Sequence, residues 1–300
     1  MSWFEVQDLT WFQKLCIKIL QCGKIPEHVA FILDGNRRYA KKLKTTVEAG
    51  HVSGFDTLSR TLDWCRHIGI KEVTVYTFSI ENFKRSKEEV NELMALAKNK
   101  FEELLKEKER VKENGIRIKV IGNISLLPED LQRLIARVHL MTAGNDRAIL
   151  NIAMAYTSKE EMTHAMEEIF WGTREDLLVP SDVDDDLINQ CLYTWESNHP
   201  DLLIRTSGEV RLSDFMLWQT AYSCLHFSSV LWPEYSFWEL TKAILHYQVV
   251  HPTIQEAKYV ASRKCRSCNQ LDPEKKNRID HFINKLREKE DQALKSIATM

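Results

Sequence analysis

Val29-Ala30-Phe31-Ile32-Leu33, running into Asp34-Gly35-Asn36-Arg37-Arg38, decides how the chain is read. Five apolar residues in unbroken succession describe a strand buried on both faces, because a strand with one face in water alternates apolar with polar. In an open α/β sheet, ligands bind beyond the C-terminal ends of strands. The residues just past this strand suit an anion held through a metal. Asp34 offers oxygen to a hard cation such as Mg²⁺. Gly35 lets backbone approach closely, and Arg37 and Arg38 present bidentate donors to phosphate oxygens. Alone, the stretch reads equally as a helix-capping aspartate beside surface arginines.

Outward from this strand the pattern repeats. Residues 73–78, 116–121, 148–155, 202–204 and 224–227 read as further strands. Helical spacing marks 54–67, 86–113, 128–142, 158–171, 184–192 and 236–248. Ser86 with Glu89 three residues on predicts a capping box, opening one helix of roughly 40 Å that Gly115 stops. Strand and helix in alternation predict an α/β fold with a mostly parallel central sheet flanked by helices. Residues 1–25, with apolar positions at 9, 12, 16, 19 and 20, read as an amphipathic N-terminal helix, docked on the core or lying on a membrane. Residues 26–251 form the α/β domain. Beyond 252 the composition turns charged, predicting a solvated helical extension to residue 300.

Two more strand ends carry arginine. Ser79, Asn82 and Arg85 come after the second strand. Arg205, Arg211 and Ser213 come after the fifth, about a turn containing Thr206, Ser207 and Gly208. Structural arginines have no reason to gather at three strand ends, so the pattern predicts two phosphate-rich groups around one metal ion. The acidic stretch Asp182, Asp184, Asp185 and Asp186 reads instead as a helix start, where negative charge is favoured.

Composition narrows the classes. Net charge is −2 over 300 residues, which provides no global basic field for nucleic acid. The 7 scattered cysteines argue against a disulfide framework. Cys265-x-x-Cys268 lacks the second pair that a structural zinc site needs. No apolar run reaches the 18 residues or so of a membrane span, and acidic residues at 5 and 8 do not suit a secretory signal. No phosphate loop, GxGxxG, HExxH or nucleophile elbow occurs. A haloacid-dehalogenase-type phosphohydrolase needs two aspartates one residue apart, and Ile32 and Asn36 occupy both partner positions.

Residues 28–41, Gly50-His51-Val52-Ser53-Gly54, residues 77–85 and residues 201–215 together resemble the signature of cis-prenyltransferases, in order, from about residue 26 to 250. The resemblance is to the eukaryotic catalytic subunits of that family, and Arg37 stands where bacterial members have glycine. It implies farnesyl diphosphate as primer, extended in cis by isopentenyl diphosphate. It implies Mg²⁺ on Asp34, assisting departure of the primer diphosphate. Gly35, Asn36, Arg37, Arg38 and Arg85 match motif positions about that diphosphate, and Arg205, Arg211 and Ser213 those for isopentenyl diphosphate. His51, Ser79 and Asn82 match positions near the reacting centre.

Cys224 stands where bacterial homodimers carry a metal-binding glutamate, and no Arg-x-Gly motif occurs after residue 248. The resemblance therefore implies a non-catalytic partner, related to the Nogo-B receptor, that supplies the motif. It also implies peripheral attachment to the cytosolic face of the endoplasmic reticulum membrane. A non-catalytic scaffold of the same fold would be expected to lose the aspartate and arginines that this chain keeps. An apolar tunnel would set product length, with Leu93, Met94, Leu96, Phe101, Leu104 and Leu105 as candidates. An extra turn before Gly115 implies a long, dolichol-length product.

Overall fold

The computed structural model describes Trp3, residues 8–266 and residues 273–299. In chain order the elements are α1 (Trp11–Gln21), β1 (His28–Ile32), α2 (Asn36–Leu43), α3 (Val47–Ile68), β2 (Glu72–Ser79), α4 (Lys87–Lys106), α5 (Lys108–Asn114), β3 (Ile116–Ile121), α6 (Glu129–Thr142) and β4 (Ala148–Tyr156). Next come α7 (Ser158–Arg174), α8 (Asp185–Cys191), β5 (Leu202–Arg205), β6 (Cys224–Phe227), α9 (Phe237–Arg266) and α10 (Pro273–Thr299).

All strand pairs are parallel, in the order β3-β4-β2-β1-β5-β6. The chain builds outward from β1 through β2, then crosses to β1's other edge with β5. That reversal places a crevice at the C-terminal end of β1, where a sheet of this kind binds ligands. Parallel strands need helical crossovers, so both faces are covered. Along β1, Val29 and Phe31 enter one core cluster while Ala30 and Ile32 enter the cluster on the opposite face. The unbroken apolar run thus serves two cores.

Three expectations change. The single helix predicted over 86–113 is two, parted at Glu107. Residues 106–110 are all charged, so nothing holds that turn on the core, and the bend lets Val111 still bury. The capping box is half made. Ser86 accepts from the Glu89 N–H, but the Glu89 carboxylate turns away to Arg85. Thr10 caps α1 ahead of Trp11 in a full capping box, so residues 8–10 are not helical, and residues 1, 2 and 4–7 of the expected helix lie outside the described residues. The helix buries Ile17 and Leu20 and leaves Trp11, Phe12, Leu15 and Ile19 exposed, so it is docked and also presents an apolar outer face.

At the other end, α9 runs through 251–252 without interruption. In α10, Ile279, Phe282, Ile283 and Leu286 sit at i, i+3, i+4 and i+7, a stripe that composition alone conceals. Phe282 and Leu286 are buried against Ala165, Ile169 and Leu187. Arg278 grips Asp182 with two bonds of 2.9 and 2.8 Å. The acidic stretch behaves as read, with Asp184 capping α8. The Cys265 and Cys268 thiols lie outside the described residues.

Candidate active site

The strand ends meet at one cavity of about 670 Å³. Its polar wall holds Asp34, Asn36, His51, Ser79, Asn82, Arg85, Arg205, Arg211 and Ser213. Its apolar wall comes from α3, α4 and the sheet, and includes Phe55, Leu58, Leu93, Leu96, Phe101 and Met154. Of the tunnel candidates, Met94 and Leu104 are instead buried in the main core, and Leu105 packs against it.

Arg205 organises the polar end. It leaves β5 in register with Ile32 of β1 and is only 3% exposed. Its Nη2 donates to Asp34 Oδ2 at 2.9 Å, and its Nη1 donates to Ser213 Oγ at 2.6 Å and to the Arg211 carbonyl. Asp34 is held from the backbone as well. Its N–H donates to Thr206 Oγ1 at 3.1 Å, and Thr206 Oγ1 in turn donates to the Asp34 carbonyl at 2.7 Å. Burial alone would raise the Asp34 pKa. Hydrogen bonds from Arg205 and Ser207, with the Arg205 and Arg38 charges, outweigh it and hold the carboxyl below its usual range. Asp34 is therefore an anion.

Gly35 adopts φ 117° at the start of α2, a conformation L side chains resist. It turns Arg37 and Arg38 to the rim rather than the cavity wall. Arg38 donates to the Ser207 carbonyl at 3.0 Å and lies 3.4 Å from Asp34 Oδ1. Arg37 and Arg85 both approach the Glu89 carboxylate, at 3.7 and 2.8 Å. Arg211 is two-thirds exposed and pairs with Glu209. Ser79 and Asn82 cap the short 3₁₀ turn Ile80–Lys84, the Ser79 N–H donating to Asn82 Oδ1 at 3.0 Å. They shape the wall as well as line it. His51 is half-buried, and its shielded Nε2 lacks a hydrogen-bond partner. Burial and Arg85 push its pKa down to about 4, Glu89 opposing and Arg37 assisting, so the imidazole is neutral.

Residues outside the predicted set of site residues also build the site. Glu89, Thr206, Ser207 and Trp232 all touch its members. Trp232 donates from Nε1 to the Gly54 carbonyl at 2.7 Å and from its backbone to the Asp34 carbonyl at 3.0 Å. A Cβ on Gly54 would fall 2.2 Å from Asn36 Oδ1, so only glycine lets α3 approach α2 here. The contacts of Thr206, Ser207 and Trp232 join segments more than a hundred residues apart, so no local signal marks them. Cys224 is buried, its Sγ 3.6 Å from His246 Nδ1, and burial pushes its thiol up to about 11.

A guanidinium-rich rim over an apolar chamber defines a protein that handles a phosphorylated hydrocarbon. Comparison with known proteins agrees. Residues 32–254 match the family model described as putative undecaprenyl diphosphate synthase. The dehydrodolichyl diphosphate synthase complex subunit of Homo sapiens is 52% identical over 88% of this chain and 80% of its own length. A geranylgeranyl-diphosphate-specific tritrans,polycis-undecaprenyl-diphosphate synthase of Thermococcus kodakarensis is 41% identical over 79% of this chain and 89% of its own. Among solved structures, lavandulyl diphosphate synthase from Lavandula x intermedia, in complex with dimethylallyl diphosphate, aligns with a TM-score of 0.71 at 34% identity, covering 75% of this chain and 95% of that one.

The chain belongs to the undecaprenyl diphosphate synthase-like prenyltransferase family. It is a cis-prenyltransferase, an enzyme of polyprenyl diphosphate synthesis.

Proposed function

We propose that this chain is the catalytic subunit of a heteromeric cis-prenyltransferase. It extends farnesyl diphosphate with isopentenyl diphosphate to a long polyprenyl diphosphate for dolichol synthesis and protein glycosylation. The observation that supports this most is the amphipathic cavity, with Asp34, Arg85, Arg205 and Arg211 at one end and Phe55, Leu93, Leu96 and Phe101 beyond. A diphosphate belongs at the first and a growing hydrocarbon at the second.

In this reading, Arg37, Arg38 and Arg85 hold the primer diphosphate about the Gly35 turn. Arg205, Arg211 and Ser213 hold that of isopentenyl diphosphate. Breaking the allylic C–O bond builds negative charge on the departing diphosphate, and arginines already fixed there stabilise that charge more than the ground state. The neutral His51 and Asn82 face the reacting centre. The apolar wall excludes water from the allylic cation.

Asp34 fits one coordination position of Mg²⁺, as an ionised oxygen donor on the cavity wall. Among the described residues no group of three His, Cys, Asp or Glu side chains could hold a metal, so Asp34 would share the ion with diphosphate oxygens. When bound, Mg²⁺ neutralises charge on the leaving diphosphate.

The relatives named as complex subunits support a second chain in the complex, and in this reading that chain is of the Nogo-B receptor type and contributes the Arg-x-Gly motif. No helix among the described residues is long and apolar enough to cross a membrane. The exposed Trp11, Phe12, Leu15 and Ile19 suit peripheral contact with the cytosolic face of the endoplasmic reticulum membrane. The test incubates radiolabelled isopentenyl diphosphate with farnesyl diphosphate and Mg²⁺, with and without partner. Chain extension is expected. Release of inorganic phosphate without extension would overturn the reading.

A further inference from the structure

We propose that Glu89 is a positioning residue for the primer's diphosphate. It holds Arg85 from behind the cavity wall, with Arg37 and His51 close beside it. The inference rests on the proposed function and names a residue that reading does not use.

Three site residues approach one atom. Glu89 Oε1 accepts from Arg85 Nη1 at 2.8 Å, and Arg37 Nε and His51 Nε2 stand 3.7 and 3.9 Å from it. These side chains come from α2, α3 and the turn after β2, while Glu89 sits in the first turn of α4. Its backbone N–H is fixed by Ser86 Oγ at 3.3 Å, and a carboxylate there is favoured by the helix dipole. The side chain is 13% exposed, so the carboxylate is held rather than free in solvent.

Two roles are open to an anion beside phosphate-binding arginines. It can occupy the phosphate's place until displaced, or it can orient the guanidinium from the far side. Arg85 and His51 line the cavity, whereas Glu89 does not. A diphosphate in the cavity therefore does not meet Glu89. Arg85 gives Nη1 to the carboxylate and keeps its remaining donors for a ligand. Without Glu89 the ligand itself must order the Arg85 side chain, at a cost in rotamer freedom. Nothing comparable changes at Arg205, which Asp34 and Ser213 hold independently.

Calorimetry on the full chain with Mg²⁺ tests this without turnover. One arm titrates farnesyl thiolodiphosphate, an unreactive allylic analogue, and the other titrates isopentenyl diphosphate alone. Glu89→Ala should weaken the allylic analogue by about tenfold and leave isopentenyl diphosphate within about twofold, as expected for one lost charged hydrogen bond. Glu89→Gln keeps the side chain's volume and should show the same split more weakly, which covers the case where the alanine variant does not fold. Equal weakening of both ligands, or of neither, overturns the inference while leaving the proposed function standing. A wild-type chain that binds neither ligand overturns both.

Discussion

Arg205 and Asp34 are 171 residues apart in sequence, yet Arg205 Nη2 donates to Asp34 Oδ2 at 2.9 Å across the ends of adjacent strands. The pair joins the groups proposed for the two substrates. It also keeps a nearly buried guanidinium neutralised before any diphosphate arrives, as a buried charge requires.

Asp34→Ala should fold and lose at least about 10³ in turnover, or roughly 4 kcal/mol of transition-state stabilisation. Circular dichroism and steady-state incorporation of isopentenyl diphosphate check both halves. More than about a tenth of wild-type turnover would remove Asp34 from the catalytic role.

Gly54→Ala should cost about 1–3 kcal/mol of stability by overpacking. The new Cβ would meet Asn36 Oδ1 at 2.2 Å and Trp232 Cδ1 at 3.2 Å. Since Trp232 also binds the Asp34 carbonyl, turnover should fall together with stability. Thermal melting and the same assay read the two effects, and an unchanged melt would show that α2 and α3 yield easily.

Stability should rise with pH between about 4 and 6.5. Burial, Lys119 and Arg117 lower the His139 pKa from 6.5 to about 4, with Glu196 opposing. In that window the unfolded chain binds a proton that the folded chain refuses, so folding gains as pH rises and the gain is complete above 6.5. Urea unfolding at pH 5 and 7 should show the slope. His139→Asn, far from the cavity wall, should flatten it, and an unaltered slope would assign it to other histidines.

Leu96→Trp should shorten the longest product while isopentenyl units are still added, because Leu96 lines the apolar wall. Chromatographic sizing of the polyprenols decides it. Unchanged product lengths would mean that the chain grows along another path.

The single chain should be weakly active and should gain activity with a partner carrying the Arg-x-Gly motif. Assays of the purified chain, alone and mixed, check this. Full activity alone would show the site to be complete without a partner.

How much is legible depends on how local each signal is. The strands, Asp34 beyond β1, and the arginines at three strand ends are readable, because apolar runs and their polar ends lie within about ten residues. Glu89 reads locally as half of a capping box, because spacing gives it Ser86, and its other neighbours Arg37 and His51 arrive only through tertiary packing. The break at Glu107 escapes because helical spacing continues through charged residues that no core holds. The α10 stripe is hidden among Lys, Arg and Glu, and only its contact with α7 and α8 selects the four residues that matter.

By itself the sequence determined the class of sheet, the residues placed at its ligand-binding edge and the family signature, since these depend on periodicity and short spacing. Tertiary structure alone decided that Arg205 would seize Asp34, that Trp232 and Gly54 would lock α3 beneath α2, and which α4 side chains face the cavity. Such contacts depend on strand order and helix packing, which bring segments more than a hundred residues apart within hydrogen-bond reach, and no local pattern encodes that.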